Sequence, residues 1–155
     1  MTISLNENIK VREISAEDTF NLRREVLRPG KPIKECQFDG DFAGDTIHLG
    51  VFVQNKLTGV ASFMKNSNPL FSPKNQFQLR GMAIAQDFKQ KGLGAQLLME
   101  GEIKINTHPD TLLWFNARVQ AIEFYRKFEY ATKGKEFDIP GVCKHVVMYK
   151  RLGDH

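Results

Sequence analysis

A mixed α/β fold around one sheet follows from three features of this sequence. Seven short stretches show the apolar alternation of strands, three segments show the wider spacing of helices, and turns rich in Gly, Pro or Asn separate them. At 155 residues, 41% hydrophobic and 26% charged, the chain is expected to form a single domain over 1–155 that buries a real core.

The first strand is 9–14. Ser15-Ala16-Glu17-Asp18 then offers an N-cap for a helix over about 16–27, and Pro29-Gly30-Lys31-Pro32 stops it. Residues 28–45 form a long polar connection, and loops of that length are commonly functional. Strands at 46–53 and 57–64 are joined tightly at Gln54-Asn55-Lys56, which makes them an antiparallel hairpin. A second loop, 65–75, contains Pro69 and Pro73. The strand 77–84 leads to a helix that starts at Gly92 or Leu93 and ends near 106, with Leu93, Leu97, Leu98, Ile103 and Ile105 as its apolar residues. A strand at 111–115, a helix at 119–128 and strands at 130–135 and 144–151 complete the order.

Several function classes are set aside by composition. Net charge is +4, from 22 Lys+Arg against 18 Asp+Glu, but there is no nucleic-acid motif or long basic stripe. The densest basic segment, Arg23 to Lys34, is followed at once by Glu35, Asp39, Asp41 and Asp45, a solvated mixed-sign surface. No apolar run approaches the ~18 residues of a membrane span, and residues 1–8 lack the apolar core of a signal peptide. Cys36 and Cys143 are far apart and have no metal-type spacing, so they are expected to be reduced thiols, with Cys143 in the core of a late strand. A cytoplasmic protein without metal, membrane or nucleic-acid partner is the expectation.

The most informative stretch is Lys89-Gln90-Lys91-Gly92-Leu93-Gly94, which joins a strand to a helix. A helix start leaves backbone N–H groups unpaired and carries the positive end of the helix dipole. Two glycines there remove the Cβ atoms that would hold an anion away, and Lys89 and Lys91 add charge. A plain turn into a helix accounts for the glycines equally well. The run is neither a P-loop nor a dinucleotide fingerprint, because Leu97 occupies the place of the third glycine. Its spacing, Lys89-x-x-Gly92-x-Gly94, resembles the acyl-CoA loop of the GNAT acetyltransferase superfamily, Arg/Gln-x-x-Gly-x-Gly/Ala, with Lys89 departing at the first position.

A second segment resembles the same family. Asn116, Ala121, Phe124 and Tyr125 match the pattern Asn-x(4)-Ala-x-x-Phe-Tyr-x-x-x-Gly-Phe, and the final pair departs as Glu129-Tyr130, where a helix C-cap favours glycine. Read alone, Asn116 is also a good helix N-cap. Ala121, Phe124, Tyr125 and Phe128 also form one apolar helix face, so a core tyrosine explains the spacing too. Gly81 inside an apolar strand marks a bulge, a ligand approach or a simple irregularity.

The resemblance covers nearly the whole chain. It implies an α+β fold with a mixed, mostly antiparallel central sheet of six to seven strands flanked by helices. It further implies an N-acetyltransferase that moves an acetyl group from acetyl-CoA, its co-substrate, directly to a primary amine. Lys89, Gln90, Lys91, Gly92, Leu93, Gly94 and Ala95 would then hold the pyrophosphate, and the backbone of Met82, Ala83 and Ile84 the pantetheine arm. Asn116 would contact the cofactor and Tyr125 would protonate the departing thiolate. GNAT proteins are often homodimers, and the late strands would offer an interface.

Neutralising a lysine-like amine of pKa ~10.4 at pH 7 costs about 4.6 kcal/mol, so a base or water relay is needed. Many GNAT enzymes place a glutamate on the strand before the loop, but 65–82 contains no carboxylate. Glu25, Asp39, Asp41 and Asp45 are candidates without a choice among them, and His48 reads as a structural histidine. Arg80 is either a surface residue or a binder of an acidic substrate group, since a guanidinium matches a carboxylate bidentately. A CoA-binding regulatory module that has lost catalysis is the alternative function. The acceptor, a small molecule or a protein amine, is not readable.

Overall fold

The computed structural model describes residues 8–153, so the leader reading of 1–7 lies outside the described residues. In chain order the elements are β1 (Ile9–Ile14), α1 (Ala16–Leu22), β2 (Ile47–Val53), β3 (Lys56–Lys65), β4 (Asn75–Ile84), α2 (Leu93–Ile105), β5 (Thr111–Arg118), α3 (Ile122–Arg126), β6 (Ala131–Asp138) and β7 (Lys144–Arg151). The seven strands form one sheet in the order β1-β2-β3-β4-β5-β7-β6. β4 and β5 run parallel, whereas β1–β2, β2–β3, β5–β7 and β6–β7 are antiparallel, the mixed, mostly antiparallel sheet that was expected. Among the described residues no helix is long and apolar enough to cross a membrane.

The chain divides into two compact units, one with the described residues up to Met64 and Leu79–Lys104, the other with Lys65–Gln78 and the described residues from Ile105 on. In the first unit Ser15 caps α1 through a reciprocal capping box with Asp18. Leu22, Val60 and Ala83 are buried together, with Ile14, Val26, Leu27, Leu57 and Ala85 packed around them. The helix does not continue as α to residue 27. Arg23–Leu27 is a π-helical turn, closed by Arg28 N–H donating to the Arg23 carbonyl at 3.0 Å. Such wide turns tend to mark functional positions, and this one begins at the buried arginine discussed below. α2 buries Leu93, Leu97, Leu98 and Ile105, but Ile103 is 70% exposed, contrary to expectation. At about 3.6 residues per turn Ile103 falls roughly 160° around the helix from buried Ile105.

In the second unit Leu112, Trp114 and Val147 are buried, with Phe71 and Tyr149 against them. The loop before β4 is tied down by Gln76, whose amide donates to the carbonyls of Pro73 (2.9 Å) and Phe71 (3.2 Å) while its oxygen accepts from Asn68 N–H (2.7 Å). Two boundaries differ from expectation. β5 pairs residue for residue with β7 through Arg118↔His145, so Asn116 lies within the strand opposite Val147 and caps no helix. Cross-strand hydrogen bonding has overridden its capping preference, and the following helix shortens to a 3₁₀ turn, Val119–Ala121, and α3. Cys143 is half-buried just before β7 rather than in its core, because 139–143 close a turn through Ile139 N–H to the Cys143 carbonyl (3.2 Å).

Candidate active site

The first unit carries the glycine turn. A 3₁₀ turn, Gln86–Phe88, is anchored by buried Phe88 and by Ala85 N–H donating to the Thr58 carbonyl at 2.8 Å. The backbone then turns left-handed at Gln90 (φ +61°) and at Gly92 (φ +81°). A β-carbon at Gly92 would meet no atom within 4 Å, so the space beside this backbone is open. Gln96 N–H donates to the Gly92 carbonyl (3.2 Å), which leaves the N–H groups of Leu93, Gly94 and Ala95 at the helix start, where intrahelical acceptors are lacking. Buried Leu93, Leu97 and Leu98 hold that end of the helix in place. The left-handed φ alone calls for glycine in this turn, and the open space beside it leaves room for an anion, so the residues present fit a pyrophosphate.

β4 approaches the turn through Gly81, whose φ of +65° is left-handed. Its four-pair ladder with β5 runs from Asn75↔Thr111 to Gln78↔Trp114, before Gly81 is reached. Of the expected pantetheine partners, Ala83 is buried and Met82 and Ile84 are half-buried. A β-carbon on Gly81 would come within 2.7 Å of the Phe38 ring and 3.1 Å of Arg23 Nε, so this glycine is required by its own surroundings.

Those surroundings are a charged network that the sequence did not reveal. Arg23 is 0% exposed and forms a bidentate pair with Asp41, Nη1 to Oδ2 at 2.8 Å and Nη2 to Oδ1 at 2.9 Å. Its Nη groups also donate to the Cys36 carbonyl (2.9 Å) and to Ser62 Oγ (2.9 Å). Ser62 is 2.7 Å from His48 Nδ1, and His48 Nε2 is 2.8 Å from the Asp41 carbonyl. Since that carbonyl only accepts, Nε2 carries the proton, and Ser62 O–H, already accepting from Arg23, donates to Nδ1. His48 is therefore structural. Burial pushes the Asp41 carboxyl up, but the Arg23 hydrogen bonds, the Phe38 N–H (2.8 Å) and the Arg23 charge outweigh it and hold it below the usual carboxylate value. This removes Asp41 from the candidate bases. Glu25, Asp39 and Asp45 are exposed.

Arg80 is half-buried and stacks 4.4 Å from the centre of the Phe38 ring, on which Arg23 also stacks at 3.9 Å. Burial, and then the charge of Arg23, lower its pKa.

The second unit carries Asn116 and Tyr125. Asn116 is exposed on β5. The Tyr125 ring packs 4.3 Å from Phe115 and 5.0 Å from Phe124, centre to centre, and burial pushes its phenol up to about 12. The hydroxyl is thus protonated throughout the neutral range, as a proton donor must be. α3 ends in a Schellman arrangement, with Tyr130 N–H donating to the Tyr125 carbonyl (3.2 Å) and Glu129 N–H to that of Arg126 (3.0 Å). Glu129 takes the left-handed position (φ +71°) where the family pattern has glycine. Buried Tyr130 packs edge-on against Phe115 at 5.1 Å and lies 6.1 Å from the Tyr125 ring, a third aromatic neighbour beside Phe115 and Phe124.

Comparison with known proteins decides the family. A model of the acetyltransferase (GNAT) domain matches residues 23–152, which is most of the chain. The chain belongs to the GNAT acetyltransferase family. It is 37% identical over 144 residues to the uncharacterized N-acetyltransferase YitI of Bacillus subtilis (strain 168), covering 93% of this chain and 97% of that protein. Two solved structures share the GNAT fold at low identity. Escherichia coli ElaA has a TM-score of 0.72 at 17% identity, over 92% of this chain and 99% of that one. An aminoglycoside 6'-N-acetyltransferase complexed with coenzyme A has a TM-score of 0.71 at 12% identity, over 94% of this chain and 98% of its own. As a GNAT protein, the chain is an N-acetyltransferase with acetyl-CoA as co-substrate and an amine as acceptor.

Proposed function

We propose that 1–155 works as one catalytic domain in which the Lys89–Ala95 turn holds the pyrophosphate of acetyl-CoA and Tyr125 protonates the leaving thiolate. The observation that carries this reading is the left-handed turn at Gln90 and Gly92, with open space where a Gly92 side chain would stand. Backbone donors at a helix start, together with Lys89 and Lys91, suit an anion of that charge. The backbone of Met82, Ala83 and Ile84 takes the pantetheine arm, and the exposed amide of Asn116 a polar group of the cofactor.

The primary amine of the acceptor attacks the acyl carbon, the C–S bond breaks, and the electron pair leaves on sulfur. In this reading Tyr125 supplies the O–H that meets the negative charge on that sulfur. With a phenol near 12 and a thiol near ~8.5, complete transfer runs uphill by about 5 kcal/mol. Tyr125 therefore acts first as a hydrogen-bond donor to the sulfur, and gives up its proton as the one lost by the amine replaces it through water. Neither cysteine lies in these motifs, and transfer is direct. Holding both reactants in line supplies much of the acceleration.

We further propose a cytoplasmic location and a homodimer formed along the exposed edge strand β6, which sizing by light scattering tests. The site itself is tested by calorimetric titration of acetyl-CoA into wild type and Gly92→Glu. Micromolar binding, about −8 kcal/mol, by wild type and none by the folded variant is expected; equal binding by both would overturn the cradle.

A further inference from the structure

We propose that Arg80 binds a carboxylate on the acceptor, so that the acetylated substrate is an amino acid or another amino-carboxylate. The inference deepens the transferase reading and rests on it.

The two guanidinium groups on the Phe38 ring have opposite states. Arg23 spends both Nη groups on Asp41, Cys36 and Ser62. Arg80 has no hydrogen-bond acceptor and no ion pair among the described residues, although it is half-buried. The fork of Arg80 is open to solvent and takes no acceptor from the described chain, and its donors match a planar carboxylate. A structural arginine would be expected to be paired, and the chain shows at Arg23 that it can build such a pair.

The surrounding charge favours an incoming anion. Asp41 is committed to Arg23, which leaves exposed Asp39 as the other carboxylate acting on Arg80, against the charges of Arg23 and Arg28. Beside them Arg23 Nε, buried and without a partner, lies 3.1 Å from where a Gly81 β-carbon would be. Stacking on Phe38 holds the Arg80 plane and limits its rotamers, so the fork is oriented before any ligand arrives. One unfilled fork suits a carboxylate, with two oxygens and one charge; a phosphate would call for further donors. Arg80 lies on β4 one residue before the glycine kink and two before Met82, on the strand assigned to the pantetheine arm.

The test uses glycine, β-alanine, 4-aminobutanoate, L-lysine and L-phenylalanine, each beside its carboxamide, with 2-aminoethyl phosphate as the competing anion. The carboxamides of the α-amino acids have the less basic amine and are the readier nucleophiles at neutral pH, so chemistry alone favours the amide. Acetyl-CoA binding is first measured by calorimetry on wild type, Arg80→Ala and Arg80→Lys. Failure of wild type to bind removes the transferase site and this inference with it. Given binding, at least one carboxylate should exceed its carboxamide by about 10–100-fold in kcat/KM, the value of a charge-assisted hydrogen-bond pair. Arg80→Ala should bring that ratio close to one, and Arg80→Lys should restore part of it. Equal use of amide and acid, a ratio unchanged in Arg80→Ala, preference for the aminophosphate, or no acetylation of any member would each overturn the assignment while leaving the cofactor site standing.

Discussion

Gly81 and Gly92 are both left-handed, at φ +65° and +81°, and have opposite surroundings. The absent side chain of Gly81 would strike the Phe38 ring and Arg23, whereas that of Gly92 would meet nothing within 4 Å. The first glycine is required by the chain itself, because the half-buried Phe38 ring and the Arg23 guanidinium close against β4 there. The second keeps a space that no residue of the described chain uses. The glycine with neighbours in its Cβ position serves packing, and the one facing open space at a helix start leaves room for the ligand proposed above.

The contrast breaks most sharply at the closed region. Asp41→Ala leaves Arg23 charged, buried and unpaired, which should cost about 3–5 kcal/mol in urea unfolding, a large part of a small domain's stability. Because the folded-state carboxyl of Asp41 lies below its ordinary value of 3.8, its contribution is fully present above that value and is lost as pH falls through the lower folded one. Wild type should therefore lose stability on acidification below about pH 4, and Asp41→Asn should flatten that limb at a lower starting stability. Gly81→Ala adds a clash and a left-handed alanine, worth about 2–4 kcal/mol together; a loss below 1 kcal/mol would show that Phe38 swings away freely.

In the second unit the effects shift from folding to rate. Tyr125→Phe should lower kcat by about 100-fold or more with acetyl-CoA affinity unchanged, and wild-type activity should show no falling alkaline limb from this phenol below its pKa of about 12. Full activity in the phenylalanine variant would remove the acid. The smallest expected change is a gain. Glu129→Gly should raise stability by about 0.5–1 kcal/mol, since glycine takes the left-handed C-cap position without steric cost.

The order of elements along the chain, the hairpin, the capped first helix and the glycine turn were legible because each depends on residues close in sequence. The helix seam shows where that legibility ends. Ala16, Thr19, Phe20 and Arg23 fall at the i, i+3, i+4 and i+7 positions of the buried face, so a charge on an apolar seam was visible. Its partners Cys36, Asp41 and Ser62 stand 13 to 39 residues away, and no local pattern joins them. Asn116 was misread as a strand end for a related reason: cap propensity is local, whereas the β7 partner that extends β5 is supplied by a segment about thirty residues later. The commitment of Asp41 to Arg23, and the lack of an acceptor at Arg80 among the described residues, exist only in the folded geometry.

The most direct measurement is amide hydrogen exchange across 85–100, with and without saturating acetyl-CoA. The account predicts that the N–H groups of 90–95 slow strongly when the co-substrate binds, while Gly81 and its neighbours, already closed in by Phe38, change far less. Binding of acetyl-CoA that leaves the exchange of 90–95 unaltered would contradict it, and the open space at Gly92 would then belong to an ordinary turn.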